Sequence, residues 1–375
     1  MNRFYWLFLL PGILSTTPAL SLEFTLFGRS TGGITQTVYE PAGGDKENYV
    51  RVLPDSWFAQ SFGFKYTVNP RVSGKIELTV YRATDSTAST PYLKNFYFDI
   101  LAGPGTLTIG TQPTLHTQVA YYHDVLLGGH DGFRSWVAGP AYQGSLNAFT
   151  YKMPAGPVEL GFSLVEARQP GGADGSSTTA ADGSTTVTPK ETSTPALELS
   201  LTWGAGVGGG EAHAGFAYHS EEMGIEDASD AENLEKTERA SVMTAIAGFS
   251  TGPAYFGATF SQGDPILYWE GRRMFGLPAG QEAISIRKGL KDKYTAQAVN
   301  FSLKMAGVKG TLYYGAEEGK VDGAKMDIAK TSGIQFEYPW NDVNWFLAWT
   351  DTQLQKQEAD YIDITTSTLG ADFKF

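Results

Sequence analysis

The sequence ends with STLGADFKF, residues 367–375, and this stretch decides the fold. Its apolar register contains Leu369, Ala371, Phe373 and Phe375, whereas Thr368, Gly370, Asp372 and Lys374 occupy the other register. A period of two residues is that of a β-strand with one apolar face and one polar face. Terminal residues usually fray in water, so a final aromatic residue indicates that the apolar face meets an apolar partner.

The same alternation recurs along the chain between short turn signals. The turns include Asn69-Pro70, Gly103-Pro104-Gly105 and Thr251-Gly252-Pro253. One opening strand, seven turn-linked pairs and one closing strand predict sixteen strands in total. Longer polar stretches alternate with the tight turns and are expected at 30–56, 83–92, 113–142, 169–195, 220–240, 263–292, 317–331 and 353–361. Short turns at one rim and long loops at the other are typical of a transmembrane antiparallel up-and-down β-barrel, which is the predicted all-β fold class.

Composition supports many strands and excludes several functions. The chain has 375 residues, 44 Gly and 19 Tyr, which suits strands joined by turns. It has no Cys, which excludes disulfides and thiolate metal sites. The formal net charge is −12, so no basic stripe is available to neutralise nucleic-acid phosphates, and no nucleic-acid partner is predicted.

The first 21 residues differ from the rest of the chain. MNRFYWLFLLPGILSTTPALS has a basic start at Arg3, an apolar stretch from Phe4 to Leu14, and small residues before a cleavage-like Ala19-Leu20-Ser21. The apolar stretch is shorter than the ~20 residues that a membrane-spanning helix needs. Residues 1–21 are therefore predicted to be a cleaved signal peptide, with a buried N-terminal helix as the alternative, and residues 22–375 form the barrel.

A soluble, secreted β-sandwich would also show alternating strands. It would not explain the signal peptide, the long and short connections and the terminal aromatic residue together. Aromatic residues also lie near the predicted strand ends, as at Tyr338, Trp340 and Trp345, where amphipathic rings fit the level of lipid headgroups. The barrel is therefore the favoured interpretation.

The sequence resembles the general porins of Gram-negative bacteria. The resemblance rests on FTLFGR at 24–29, on AGPGTLTIGTQPT at 102–114, and on the final Phe. It implies an outer-membrane localisation, a water-filled channel for passive diffusion of small hydrophilic solutes and ions, a homotrimer, and a third extracellular loop, 113–142, that folds into the barrel. The chain departs from the family at Thr111, where a basic residue is common, and it lacks the acidic Pro-Glu-Phe-Gly-Gly loop sequence, which leaves charge selectivity open.

The resemblance also implies a constriction in which acidic loop residues face a basic wall. The candidate loop residues are Asp124, Asp131 and Arg134, and the candidate wall residues, assigned by strand register, are Arg29, Lys65, Lys75 and Glu77. The transverse field of such a constriction orients dipolar solutes, and the remaining gap sets the size limit. For each charge, the alternative is a solvated lumen or rim position without effect on conduction.

Other functions find less support in the residues. The HD-x5-HD spacing of His123, Asp124, His130 and Asp131 is interpreted as polar lining rather than as a metal site, and no cofactor is expected. His213 and His219 share the lumen register but lie too far apart along a strand to share an ion. Residues 169–195 are a low-complexity external loop, and the acidic stretch 221–238 is a solvated loop that could alternatively bind divalent cations bridging lipopolysaccharide.

No catalytic motif points to an enzyme: the sequence has no H-E-x-x-H, and its two G-x-S-x-G matches, GRSTG at 28–32 and GFSTG at 248–252, lie in predicted strands and their connections rather than at a strand-to-helix elbow. Expected partners are small solutes and ions, outer-membrane lipid and lipopolysaccharide. A substrate-specific channel for sugars, phosphate or dicarboxylates remains the second hypothesis, and a barrel enzyme or an adhesin is the third.

Overall fold

The computed structural model describes twelve ranges of the chain: 22–40, 44–53, 60–82, 89–120, 145–166, 176–179, 185–188, 194–224, 237–264, 294–321, 324–357 and 360–375. These ranges contain nineteen strands and one short helix. The first ten strands are β1 Glu23–Glu40, β2 Glu47–Leu53, β3 Gln60–Asn69, β4 Val72–Arg82, β5 Ser89–Ala102, β6 Gly105–Pro113, β7 Ser145–Ala155, β8 Val158–Val165, β9 Ser176–Thr179 and β10 Thr185–Thr188. The remaining strands are β11 Ala196–Val207, β12 Gly210–Gly224, β13 Thr237–Thr251, β14 Ala254–Gly263, β15 Tyr294–Met305, β16 Val308–Val321, β17 Ala324–Trp340, β18 Val343–Gln357 and β19 Asp360–Lys374, and the helix is α1, Leu115–Ala120.

The strands form a closed antiparallel barrel. Each wall strand pairs with its neighbour along the chain, and β1 pairs with β19 to close the ring. The strands β2 and β3 pair with the two halves of β1, so together they count as a single strand of the wall. The strands β9 and β10 pair with each other as a separate hairpin within 169–195. The wall therefore has sixteen strands, as the sequence predicts.

Seven tight turns lie at one rim, which also holds the C-terminal end of β19. Their backbone reaches the left-handed region at Gly103 (φ 60°) and also at two residues with a Cβ, Ala306 (φ 49°) and Asn341 (φ 52°). These turns link the seven predicted pairs, so this part of the sequence prediction is confirmed.

The opposite rim differs from the prediction at three connections. Residues 30–40 and 47–53 belong to β1 and β2, so only 41–46 separate these strands. The stretches 317–331 and 353–361 are also mostly strand, and only 322–323 and 358–359 separate the paired strands there. These three long-loop predictions are wrong because a strand that continues beyond the bilayer has water on both faces and no longer needs an apolar register.

The outer face of the barrel is apolar. Large side chains exposed on it include Leu26, Phe62, Phe149, Phe162, Leu201, Phe260, Leu312, Phe336, Trp345, Leu347 and Leu369. A continuous apolar surface of this kind is stable against hydrocarbon and unfavourable against water. The closed ring also gives every wall strand two partners, which removes the open sheet edge that lipid does not tolerate. No helix in the described part of the chain is long and apolar enough to span a membrane.

The inner face is lined by small polar side chains that bond across neighbouring strands. Hydroxyl pairs of this kind are Thr35–Thr368 at 3.0 Å, Thr150–Ser163 at 2.7 Å and Ser302–Thr311 at 2.9 Å. Because the inner register is hydroxyl-rich along the wall, the interior is a polar lumen rather than a hydrophobic core.

The closing seam includes Phe375. Its backbone N–H donates to the carbonyl of Gly28 at 3.2 Å, and its carbonyl accepts from the Gly28 N–H at 2.8 Å. The Phe375 ring occupies the space above Gly28, where an added Cβ would lie 2.3 Å from the ring. The terminal aromatic residue therefore covers a glycine on β1 while 58% of its surface stays exposed on the outer face.

Candidate functional site

The candidate site is the inner wall of the barrel, and its first part is a basic sector on β1, β3, β4 and β5. Arg29 of β1 faces the lumen and donates through Nε to Asp372 of β19 at 2.6 Å. Thr31 donates to the same carboxylate oxygen at 2.7 Å. The arginine side chain is 33% exposed and the aspartate 3% exposed. The lumen therefore meets the cation, while its partner carboxylate is buried in the seam.

The same asymmetry recurs around Glu77 of β4. Its carboxylate pairs with Lys75 at 2.6 Å and with Lys94 at 3.4 Å, and it accepts a hydrogen bond from Asn95 at 2.7 Å. Glu77 is 6% exposed, whereas Lys75 is 22% and Lys94 is 42% exposed. The Lys75 ammonium also lies 4.8 Å from the ring centre of Phe27, a cation–π contact that holds it against the wall.

Lys65 completes the basic sector. It lies on β3 directly opposite Lys75 in the strand register, and it is exposed. Lys65 makes no ion pair with any carboxylate in the described part of the chain. Two lysines that lie opposite each other on neighbouring strands repel each other. The carboxylate of Glu77 pairs with Lys75 and Lys94 and offsets positive charge there, but it does not pair with Lys65. This sector therefore presents a surplus of positive charge to the lumen.

The second part of the site is α1, which lies inside the barrel. Thr114 begins it, since the Thr114 hydroxyl accepts the Thr117 N–H at 3.1 Å as a helix N-cap. The helix contacts β8, β11, β12 and β13 on their inner faces. Val119 packs with Ala217 and Ile246, and His116 bonds the Thr244 hydroxyl at 2.8 Å. The first residues of the predicted third loop therefore run inward along the wall.

The wall beneath α1 carries buried ionisable groups. Glu198 of β11 accepts the backbone N–H of Leu115 at 2.7 Å through Oε2 and contacts Nδ1 of His219 at 3.0 Å through Oε1. The other ring nitrogen of His219 contacts Glu221 at 3.1 Å. All three side chains are at most 1% exposed. They fix α1 to the wall and do not line the water-filled space.

Two cavities of about 380 and 790 Å³ lie beside α1 on the tight-turn side. Both are lined by Gln118, Lys152 and Glu159, which lie close together because Lys152 donates to Gln118 and pairs with Glu159 at 3.4 Å. The lining mixes cationic, anionic and amide groups. Polar solutes of either sign therefore find hydrogen-bonding partners there.

α1 and the basic sector face each other across the barrel. In the ring of sixteen wall strands, eight neighbouring steps separate β12 from β1 in both directions. The helix on β11–β13 thus lies opposite the strands that carry Arg29 and Lys65. This arrangement narrows the lumen between a helix on one side and a basic wall on the other.

Among the residues that the structure describes, no group of three His, Asp or Glu side chains is arranged to hold a metal ion. The chemistry that the described wall offers is charge, hydrogen bonding and a bounded aqueous space.

Comparison with known proteins gives similarity at the level of structure alone. No protein-family model and no curated protein sequence matches the chain. The outer membrane channel DcaP of Acinetobacter baumannii is 16% identical, with 94% of this chain and 97% of that chain covered and a TM-score of 0.63. The anion-selective porin of Comamonas acidovorans is 15% identical, with 94% and 100% covered and a TM-score of 0.61. OmpF of Salmonella typhi is 15% identical, with 94% and 97% covered and a TM-score of 0.59.

The chain has the fold of the outer-membrane porins. The predicted resemblance to porins is thereby confirmed at the level of the fold, as is the predicted antiparallel β-barrel. In a barrel of this fold, α1 and the basic sector opposite it both lie on the inner wall and face the same lumen.

The predicted site residues divide into two groups. Arg29, Lys65, Lys75 and Glu77 lie on the inner face, in the register that the sequence assigns to them. Asp124, Asp131 and Arg134 lie outside the described residues, so their place opposite the wall stays a prediction.

Sequence reasoning missed three contributors. Lys94 reaches Glu77 because a bulge shifts the register between β4 and β5, which alternation alone does not reveal. Asp372 was assigned to the polar face of the last strand, but its partner Arg29 is identified only by the closing pair of strands. Glu198 carried a usable signal, because it is the one charged residue within the segment ALELSLTW of β11.

Proposed function

We propose that this protein is an outer-membrane porin that lets small hydrophilic solutes and ions diffuse passively. This proposal rests on the closed ring of sixteen strands, which has an apolar outer face and a hydroxyl-rich, charged inner face. Barrels of about 16 to 18 strands leave an aqueous channel. The fold of DcaP, itself described as an outer membrane channel, supports the same reading.

The charge arrangement adds a proposed mechanism of selection. In the basic sector the exposed groups are cations, while the carboxylates that partner them, Glu77 and Asp372, are buried. With Asp124 and Asp131 on the loop that α1 begins, a solute would pass between a basic wall and an acidic loop. The transverse field then orients dipolar solutes, and no covalent step is needed. We accordingly propose no enzymatic activity and no cofactor.

A substrate-specific channel is the second candidate, and the basic sector is the observation that favours it. Arg29, Lys65, Lys75 and Lys94 form a compact cationic surface that would favour anions over cations. One neighbour in fold is described as anion-selective. A specific anion channel would show saturating flux and block of current by its substrate, whereas a general pore would show neither.

We further propose a homotrimer, because one outer membrane protein of similar fold, OmpT of Vibrio cholerae, is described in a trimer form. The outer faces of the first and last strands would meet at the subunit contacts. Cross-linking of the folded protein in detergent, followed by mass measurement, tests this assembly independently of conduction.

Single-channel recording in planar bilayers tests the proposed function directly. The mature protein is expected to give stepwise insertions of constant conductance that rises linearly with salt concentration. Reversal potentials in a salt gradient then give the ratio of cation to anion permeability. Folded protein that inserts into the bilayer and carries no current would refute the channel while leaving the fold intact.

A further inference from the structure

The larger of the two cavities beside α1 contains charges that the diffusion mechanism leaves unused. This space of about 790 Å³ lies at the tight-turn end of the lumen, between the turn that joins β3 to β4 and the start of β8. Its charged lining residues are Arg71, Asp99, Lys152 and Glu159. The cavity therefore offers two cations and two carboxylates to a solute at this rim.

The four charges are not equally engaged. Lys152 pairs with Glu159 at 3.4 Å and also donates to a glutamine, so these two charges largely compensate each other. The guanidinium of Arg71 is exposed and forms no hydrogen bond or ion pair with the residues that the structure describes. Asp99 pairs with no cation in the described ranges. Two opposite charges in one cavity are thus left without a charged partner in the described wall.

The backbone places these two charges side by side. The Leu101 N–H donates to the Arg71 carbonyl at 2.9 Å, and Asp99 lies two residues before Leu101 on β5. Diagonal positions of this kind on neighbouring strands are about 7–8 Å apart. The Thr108 hydroxyl donates to Oδ1 of Asp99 at 2.6 Å and holds the carboxylate in place, while Oδ2 accepts from no group in the described part of the wall.

This arrangement favours a solute that carries both signs of charge. A guanidinium presents paired N–H donors that match a carboxylate, and a free carboxylate oxygen accepts from an ammonium. A free amino acid carries both groups on one carbon atom, so it can satisfy Arg71 and Asp99 together. A solute with a single charge, or a neutral sugar, leaves one of the two without a charged partner. The cavity volume is in the range of small-molecule sites, about 300–1,000 Å³, which leaves room for the side chain of the solute.

We propose that Arg71 and Asp99 form a weak binding subsite for free amino acids at the tight-turn end of the lumen. Arg71 binds the α-carboxylate of the solute, and Asp99 accepts hydrogen bonds from its α-ammonium. Weak binding suits a channel, because a site on the path must attract the solute and still release it. The inference rests on the proposed function for its consequence, the passage of zwitterions, but the binding itself can be measured without transport.

Saturation-transfer NMR titrations of the folded protein in detergent measure this binding. The probes are L-alanine, propionate, which keeps only the carboxylate, and ethylamine, which keeps only the ammonium. Alanine is expected to bind about fivefold more tightly than either analogue, because each analogue loses one exposed charge contact. This comparison uses the wild-type protein and needs no variant to fold.

Two variants then assign the contacts. Arg71→Gln should weaken the binding of alanine and propionate about fivefold and should not weaken that of ethylamine. Asp99→Asn should weaken the binding of alanine and ethylamine about fivefold and should not weaken that of propionate. A general change of the electrostatic field gives a different pattern. Alanine has no net charge, so such a change would leave its binding unaltered.

Lys304→Gln and Asp342→Asn are the matched controls. Lys304 lies near the end of β15 and Asp342 in the turn between β17 and β18, so each removes one exposed charge from the same rim. Neither residue lines the two cavities beside α1. Alanine should bind both variants as it binds the wild type. The heat-dependent shift of barrel mobility in detergent gels verifies that each variant is folded.

Equal affinity of the wild type for alanine and its two analogues would overturn the subsite. Unchanged alanine binding in a folded Arg71→Gln or Asp99→Asn variant would also overturn it. Single-channel recording keeps this result separate from the proposed function. A barrel that binds alanine as expected but carries no current would refute the channel and leave the subsite standing, whereas a conducting barrel without preference for alanine would do the reverse.

Discussion

Lys65 offers the sharpest test of the basic sector. It is exposed on the inner wall, lies opposite Lys75 in register, and makes no ion pair within the described residues. An ion passing at about 6 Å in water interacts with such a charge by close to RT, and screening at 0.1 M salt reduces this by about half. One lysine therefore raises the local anion concentration and lowers the cation concentration about twofold each.

Lys65→Gln is accordingly expected to shift the cation-to-anion permeability ratio about fourfold towards cations in 0.1 M salt. In 1 M salt the Debye length falls to about 3 Å, and the shift should shrink to less than about 1.5-fold. The assay is the reversal potential of single channels across a salt gradient. The salt dependence separates an electrostatic effect from a change in channel shape, which would persist at high salt.

Lys46→Gln provides the matched control, because it makes the same substitution in the connection between β1 and β2, at the rim opposite the tight turns. Its permeability ratio should stay that of wild type. A Lys65→Gln channel with an unchanged ratio at low salt, or with a shift towards anions, would refute the assignment of Lys65 to the ion path.

Three further outcomes are expected. Asp124→Asn with Asp131→Asn should shift reversal potentials towards anions if the loop faces the channel, and an unchanged ratio would remove both residues from the constriction. Phe375→Ala should lower the urea midpoint of barrel unfolding by the equivalent of about 1 kcal/mol, because a cross-strand aromatic contact at the seam is lost; an unchanged midpoint would contradict a role in closure. Leu347→Arg on the outer face should cost about 2–4 kcal/mol in lipid, whereas Thr67→Arg on the inner face should cost much less, and equal costs would contradict the assignment of faces.

Local alternation was sufficient to predict the class of fold, the seven tight turns and the inner register of Lys65 and Lys75. These features depend on residues close in sequence, which a period of two reports directly. Strand length was not predictable where β1 continues as TGGITQTVYE, because the outward residues there mix apolar Ile34 and Val38 with Gly32, Gln36 and Glu40 and so give no continuous apolar register. The sequence also could not identify the groups that contact the charged residues. Arg29 meets Asp372 and Glu198 meets Leu115 only because strands far apart in sequence become neighbours in the ring.

The seam between β1 and β19 constrains how the molecule can be made. Its register pairs Arg29 with Lys374 and Glu40 with Asp363. The backbone groups along one edge of β1 therefore have no hydrogen-bond partners until β19 is in place. Vectorial assembly into lipid, strand by strand as the chain emerges, would leave that edge of β1 unpaired in hydrocarbon throughout. Pairing of β1 with β19 before or during insertion avoids that cost, so ring closure and entry into the bilayer are expected to be coupled.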